Sequence, residues 1–186
     1  LLAHHFHQGG DDKRALKYAV LAGDVAARLY ANNEAITHYT LAIEIAKNDD
    51  TATEQLAALY LARGRAQEVS GLQDDGLAGY RELVDLGRKA QDAALEMAAL
   101  VQMITIHSTL SGRPDTVVSS ALSERSLVLA QQLGDHSSEA KNLWNSLLIE
   151  VLDGDDYYKA LEYGERSLEI AREHDLKEQT AFTLQD

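Results

Sequence analysis

The chain has 186 residues, enough to bury a core without covalent staples, and contains no cysteine, which removes disulfides, thiolate metal sites and a thiol nucleophile. Seventeen Lys and Arg stand against thirty Asp and Glu, a formal net charge of −13 with the basic residues scattered, so nucleic acid is repelled. The longest apolar stretches, such as Ala93 to Ile106, carry Glu96 and Gln102 and stay below the ~20 residues that span a bilayer, so no membrane contact is expected and the default home is cytoplasmic.

Abundant Ala, Leu and Glu with a single proline favour helix almost everywhere, because these side chains lose little rotamer freedom there. The first helix covers about 1 to 8 and reads as already under way at Leu1, as in a piece excised from something larger. It carries His4, His5 and His7. On a helix His4 and His7 share a face but His5 does not, so a structural role is preferred over metal binding. Gly9-Gly10-Asp11-Asp12 is a turn, without the Lys-Ser/Thr of a phosphate loop or the ligand pattern of an EF-hand. Helices follow over about 12 to 30 and 33 to 47, the second opened by Asn32-Asn33 and placing Ile36, Tyr39, Ile43 and Ala46 on one face.

Thr51-x-x-Glu54 reads as a capping box opening a helix over 52 to 69. After the turn Gly71 to Gly76 come helices over 74 to 90 and 93 to 110, then a break at Gly112-Arg-Pro-Asp115 and a helix over 115 to 133. Helices over 137 to 152 and 156 to 173 flank Asp153-Gly-Asp-Asp-Tyr-Tyr158. That acidic turn could hold a cation, but capping of the next helix is the preferred reading. Leu161, Gly164, Leu168 and Ala171 form the apolar face of the second of these helices, and a last helix starts near 177.

The helices repeat. Glu34 to Ala46, Asp75 to Gly87, Ser123 to Ala130 and Lys159 to Ala171 are versions of one segment; anchored on Ala42, Leu83, Ser126 and Ser167, they lie 41, 43 and 41 residues apart. Asp49, Asp92, Asp135 and Asp175 follow a helix in each unit, where each can cap the next. The partner helices align through Tyr60, Val101 and Trp144, with Trp144 expected in the core. A single array over 1–186 follows, with units at about 1–49, 50–92, 93–135, 136–175 and a partial 176–186. Its exposed cut ends would associate weakly with one another.

Trp144-x-x-Leu147, Asp155-x-Tyr157-x-x-Ala160 and Ser167-Leu168, with Tyr60, Gly64, Gly71 and Tyr80, resemble the tetratricopeptide pattern of large residue, small residue, turn, aromatic and alanine, at a period longer than the family's ~34 residues. The resemblance implies an all-α, right-handed superhelical solenoid of antiparallel helix pairs. The stretch from Leu2 to Ala35, with Ala15-Leu16-x-Tyr18 and Gly23-Asp24-x-Ala26-Ala27, resembles the region after the ATPase module of bacterial cyclase-like and MalT-like signalling regulators, which implies a nucleotide switch outside this chain.

No catalytic motif is found: the remaining histidines, His38, His107, His136 and His174, are dispersed, and no Gly-x-Ser-x-Gly elbow exists. The expected function is therefore non-catalytic, with no cofactor and no metal: an interaction or sensor scaffold of a larger bacterial regulator. The alternative is a fragment of a parent cyclase or ATPase-type transcriptional regulator whose activity lies elsewhere. The expected partner is a protein or peptide segment, or a small-molecule effector. The family's groove positions carry over to Arg65, Glu68, Gln102, Thr109, Asn142 and Asn145, polar residues expected to line a concave face.

Overall fold

The computed structural model describes residues 2–48, 53–110, 116–153 and 156–186. Among them no strand occurs, and ten α-helices follow in order: α1 (Leu2–Gln8), α2 (Asp12–Arg28), α3 (Asn32–Asn48), α4 (Thr53–Val69), α5 (Gln73–Ala90), α6 (Ala93–Thr105), α7 (Thr116–Leu133), α8 (His136–Asp153), α9 (Tyr157–Glu173) and α10 (Lys177–Gln185). A π-turn, Ile106–Leu110, continues α6. The bounds fall close to those expected from the periodicity.

Six junctions end in the same turn. After α1, α2, α4, α5, α7 and α9, one residue takes a left-handed conformation and the next donates its N–H to a carbonyl five residues back, as in Leu72 to Gln67 (2.8 Å), Asp92 to Gly87 (2.8 Å) and Leu176 to Ala171 (2.8 Å). Gly10, Gly71 and Gly134 fill the left-handed position at three of them, whereas Tyr30, Gln91 and Asp175 fill it at the others. Asp175 is thereby corrected as a helix cap: the residue before α10 is Leu176, which makes no side-chain cap. Asp92 and Asp135 do cap, accepting from Leu95 and Ser138 N–H at 3.0 Å each, as do Asp11 and Asp156 in the turns read as glycine- and aspartate-rich. Asp49, Thr51 and the Pro114-Asp115 break lie outside the described residues.

Two compact units, Leu1–Leu83 and Val84–Asp186, divide within α5. In the first, α2 packs on α1 and α3, and α3 on α4. Its core is Ala15, Leu16, Ala19, Ala35, Tyr39, Ile43, Ile45, Leu59, Tyr60 and Tyr80. Two glycines let rings lie on helix backbone here. A Cβ on Gly23 would stand 2.6 Å from the Tyr39 ring, and one on Gly64 would stand 2.3 Å from Tyr80. Each tyrosine follows its glycine by sixteen residues, and the pairs lie 41 residues apart. Buried at the ring and hydrogen-bonded at the tip, Tyr39 donates to Asp24 (2.9 Å) and Tyr80 to Glu68 (2.7 Å). Burial, reinforced by the carboxylate, pushes the Tyr39 hydroxyl up to about 12 and raises that of Tyr80 as well.

In the second unit consecutive helices pack from α6 to α10, and α8 also touches α6 and α10, its next-but-one neighbours. Leu100, Ile104, Leu129, Leu143 and Trp144 are core residues, as is Val101. The antiparallel run of α7 against α8 is fixed by two cross-helix pairs, Ser126 with Asn142 (2.8 Å) and Ser123 with Ser146 (2.6 Å). On α9 the buried face is Ala160, Gly164, Ser167 and Ala171, with Leu168 half-buried; Leu161, expected on it, is exposed. The four anchors of the repeat, Ala42, Leu83, Ser126 and Ser167, are each completely buried.

Candidate functional site

The polar residues expected to line a groove divide sharply. Arg65 on α4 is open, its side chain 76% exposed, and Gln102 on α6 is half-buried. Glu68 is buried instead, held between Tyr80 and Arg65 (3.3 Å). The side chain of Thr109 lies outside the described set. Asn142 and Asn145, expected on the groove, have no solvent exposure at all.

Those two asparagines belong to a polar seam inside the second unit. The Asn145 amide donates to Thr105 Oγ1 (3.2 Å) and its carbonyl accepts from Ser108 Oγ (3.1 Å), tying α8 to the end of α6 and the π-turn. Ser126 accepts from Asn142, whose Oδ1 is buried without a partner. Helical spacing could not separate these roles, because positions lining a groove and positions facing the preceding helix lie only about 100° apart on the same helix. Replacing both asparagines by alanine therefore removes internal structure rather than surface.

Sequence reasoning missed a different constellation. Glu96 in the first turn of α6 is buried, and its carboxylate accepts from Arg88 of α5 (2.9 Å) and from two nitrogens of Arg125 on α7 (3.2 and 2.8 Å). Glu139 in the first turn of α8 is also buried and accepts from Gln131 of α7 (3.0 Å) and Arg166 of α9 (3.3 Å). The two carboxylates lie 43 residues apart, their arginines 41 and the preceding donors 43, matching the period of the repeat. The missing clue was this coincidence of charge with period, which apolar anchors alone do not reveal. Each carboxylate joins the helix before it to the helix after it.

The Arg125 guanidinium, helped by Arg88, holds the Glu96 carboxyl below its ordinary range despite its burial. A carboxyl so lowered contributes stability above its unfolded value of about 4.3 and loses it as pH falls through the lower folded value. Glu96→Gln is thus expected to cost about 1–2 kcal/mol at pH 7, moderated because both arginines are half exposed, and the difference from the parent should shrink progressively as pH falls below the ordinary carboxylate range of about 4. Urea midpoints measured from pH 7 to pH 3 check this, and a constant difference across that range would refute it.

The other candidates have structural partners. His7 pairs with Asp12 (2.8 Å), and among the described residues no group of three His, Cys, Asp or Glu is arranged to hold a metal. A recess beside Ser123, Ser146 and Lys159 holds about 50 Å³, whereas open depressions beside Glu165 and Glu169 and beside His4 and His38 hold about 790 and 340 Å³, of ligand-pocket size but open to solvent. No helix among the described residues is long and apolar enough to cross a membrane. No protein-family model matches the chain, and no curated protein matches it significantly.

Proposed function

We propose that the chain is a segment of a tetratricopeptide-like, right-handed superhelical array, a non-catalytic scaffold through which a larger cytoplasmic, bacterial signalling protein recognises a protein or peptide segment or a small effector. The observation that carries this reading is the recurrence of contacts with the period: glycine under tyrosine at Gly23–Tyr39 and Gly64–Tyr80, and buried carboxylates joining three helices at Glu96 and Glu139. The buried polar groups Glu68, Glu96, Glu139 and Asn145 are occupied in holding helices together. The glycine turns are flanked by aspartates that repel phosphate, which favours recognition over nucleotide binding.

Of the expected groove positions whose side chains are described, Arg65 in the first unit is exposed and Gln102 in the second is half-buried, and each is tested separately. A photo-crosslinking amino acid placed at either should give a discrete adduct with one partner in the parent organism's extract, while the same group at exposed Glu34 should not. Adducts equally frequent at all three positions would refute a groove. Micromolar ATP or GTP affinity in calorimetry would refute the non-catalytic reading.

A further inference from the structure

Two helices present outer faces that match each other. On α2, Leu21, Val25 and Leu29 are 48%, 46% and 72% exposed, and Lys13, Lys17 and Arg28 lie on the same exposed side without an ion pair among the described residues. Four of the seventeen basic residues of this strongly acidic chain are on that one helix. On α9, Tyr158 and Leu161 are 83% and 46% exposed; Glu162, Glu165 and Glu169 follow them along one face, again unpaired. The order is reversed between the two. From Lys13 to Val25 α2 runs from basic to apolar before ending on Arg28, and α9 runs from apolar to acidic.

We propose that α9 of a second copy of this chain lies antiparallel on α2. In that register Lys13 meets Glu169, Lys17 meets Glu165, and Leu21 and Val25 meet Leu161 and Tyr158. Of the two basic residues on the acidic stretch, Arg166 is turned to Glu139 within its own chain and Arg172 comes near Asp12. Leu21 and Val25 cover Leu161 and Tyr158 while Lys13 and Lys17 meet Glu169 and Glu165, with Glu162 at the edge of the apolar patch, which gives the contact both burial and a preferred direction. The reverse, parallel direction sets Lys17 against tyrosine and Leu21 against glutamate. Because the two faces differ, the contact is head-to-tail and leaves a free α2 and a free α9 on each assembly. A single helix pair buries less than a standard interface, so association is weak and salt-sensitive. This contact is distinct from stacking of the repeat ends at α10, and it does not rest on the scaffold reading above.

Sedimentation equilibrium of the intact chain from about 10 µM to about 1 mM tests it. The average mass should rise with concentration, and about 0.5 M NaCl should reduce the rise. Lys17→Glu and Glu165→Lys should each weaken association about tenfold, and a chain carrying both should return to within about threefold of the parent. Both residues are exposed, so unchanged melting of each variant certifies the fold. A strict monomer at the highest concentration, single reversals without effect, or loss of association only on Leu184→Lys at the exposed end of α10, would each overturn the proposal.

Discussion

Gly64→Ala is expected to destabilise the protein by roughly 1–3 kcal/mol, although alanine is the better helix former. The new methyl would stand 2.3 Å from the Tyr80 ring, which is buried on every side and anchored at its hydroxyl by Glu68, so neither partner can withdraw cheaply. Tyr80→Ala by itself should cost about 3–5 kcal/mol, from the emptied volume and the buried carboxylate left with only the longer contact to Arg65. In that background the sign of Gly64→Ala reverses. With the ring gone, alanine keeps its helical advantage and should add up to about 1 kcal/mol. Urea unfolding of the four chains measures the coupling, and additive effects would show that the ring does not dictate glycine. Gly23→Ala opposite Tyr39 should follow the same pattern.

Trp144→Ala should cost about 3–5 kcal/mol in the second unit. The indole is 9% exposed, stacks on Phe182 of α10 at 5.6 Å between centroids, and donates from Nε1 to Asp186 (2.8 Å). Trp144→Phe keeps the stack and loses the hydrogen bond and part of the volume, so it should lie between the parent and the alanine variant. Far-UV circular dichroism in urea reads all three. It is the appropriate probe because Trp144 is the only tryptophan, and its replacement removes the fluorescence signal. Equal midpoints for the three chains would show that α10 does not depend on the indole.

Much of the fold was legible in the order of residues. Helix bounds followed from Asp92 and Asp135 as caps, the turn opened by Gly71, and an Ala- and Leu-rich composition with one proline. The burial of Ala42, Leu83, Ser126 and Ser167 followed from their common place in the period. Such features depend on the chain within a few residues of the position, so local chemistry suffices to read them. Tyr30 and Gln91 show the limit even there: the turn forms at residues with little propensity for it, because packing of the helices on either side outweighs a local cost of about 1–2 kcal/mol, whereas Asp175 tolerates it better.

What only the tertiary structure decided was the destination of each polar side chain. Asn142 and Asn145 look, in sequence, like the open face of a helix, yet they are sealed against Ser126, Thr105 and Ser108, because α7 and the π-turn approach from residues sixteen to forty positions away. Glu96 and Glu139 look like ordinary charges in a helical first turn, yet each is enclosed by donors from the helices before and after it. Helical periodicity sets the angle at which a side chain leaves its helix; whether water, a partner or another helix stands at that angle depends on helices distant in sequence. Sequence determined where the helices are and which residues anchor them, and the packing of those helices decided which polar side chains stay exposed, Arg65 among them, and which, like Asn142 and Asn145, are enclosed.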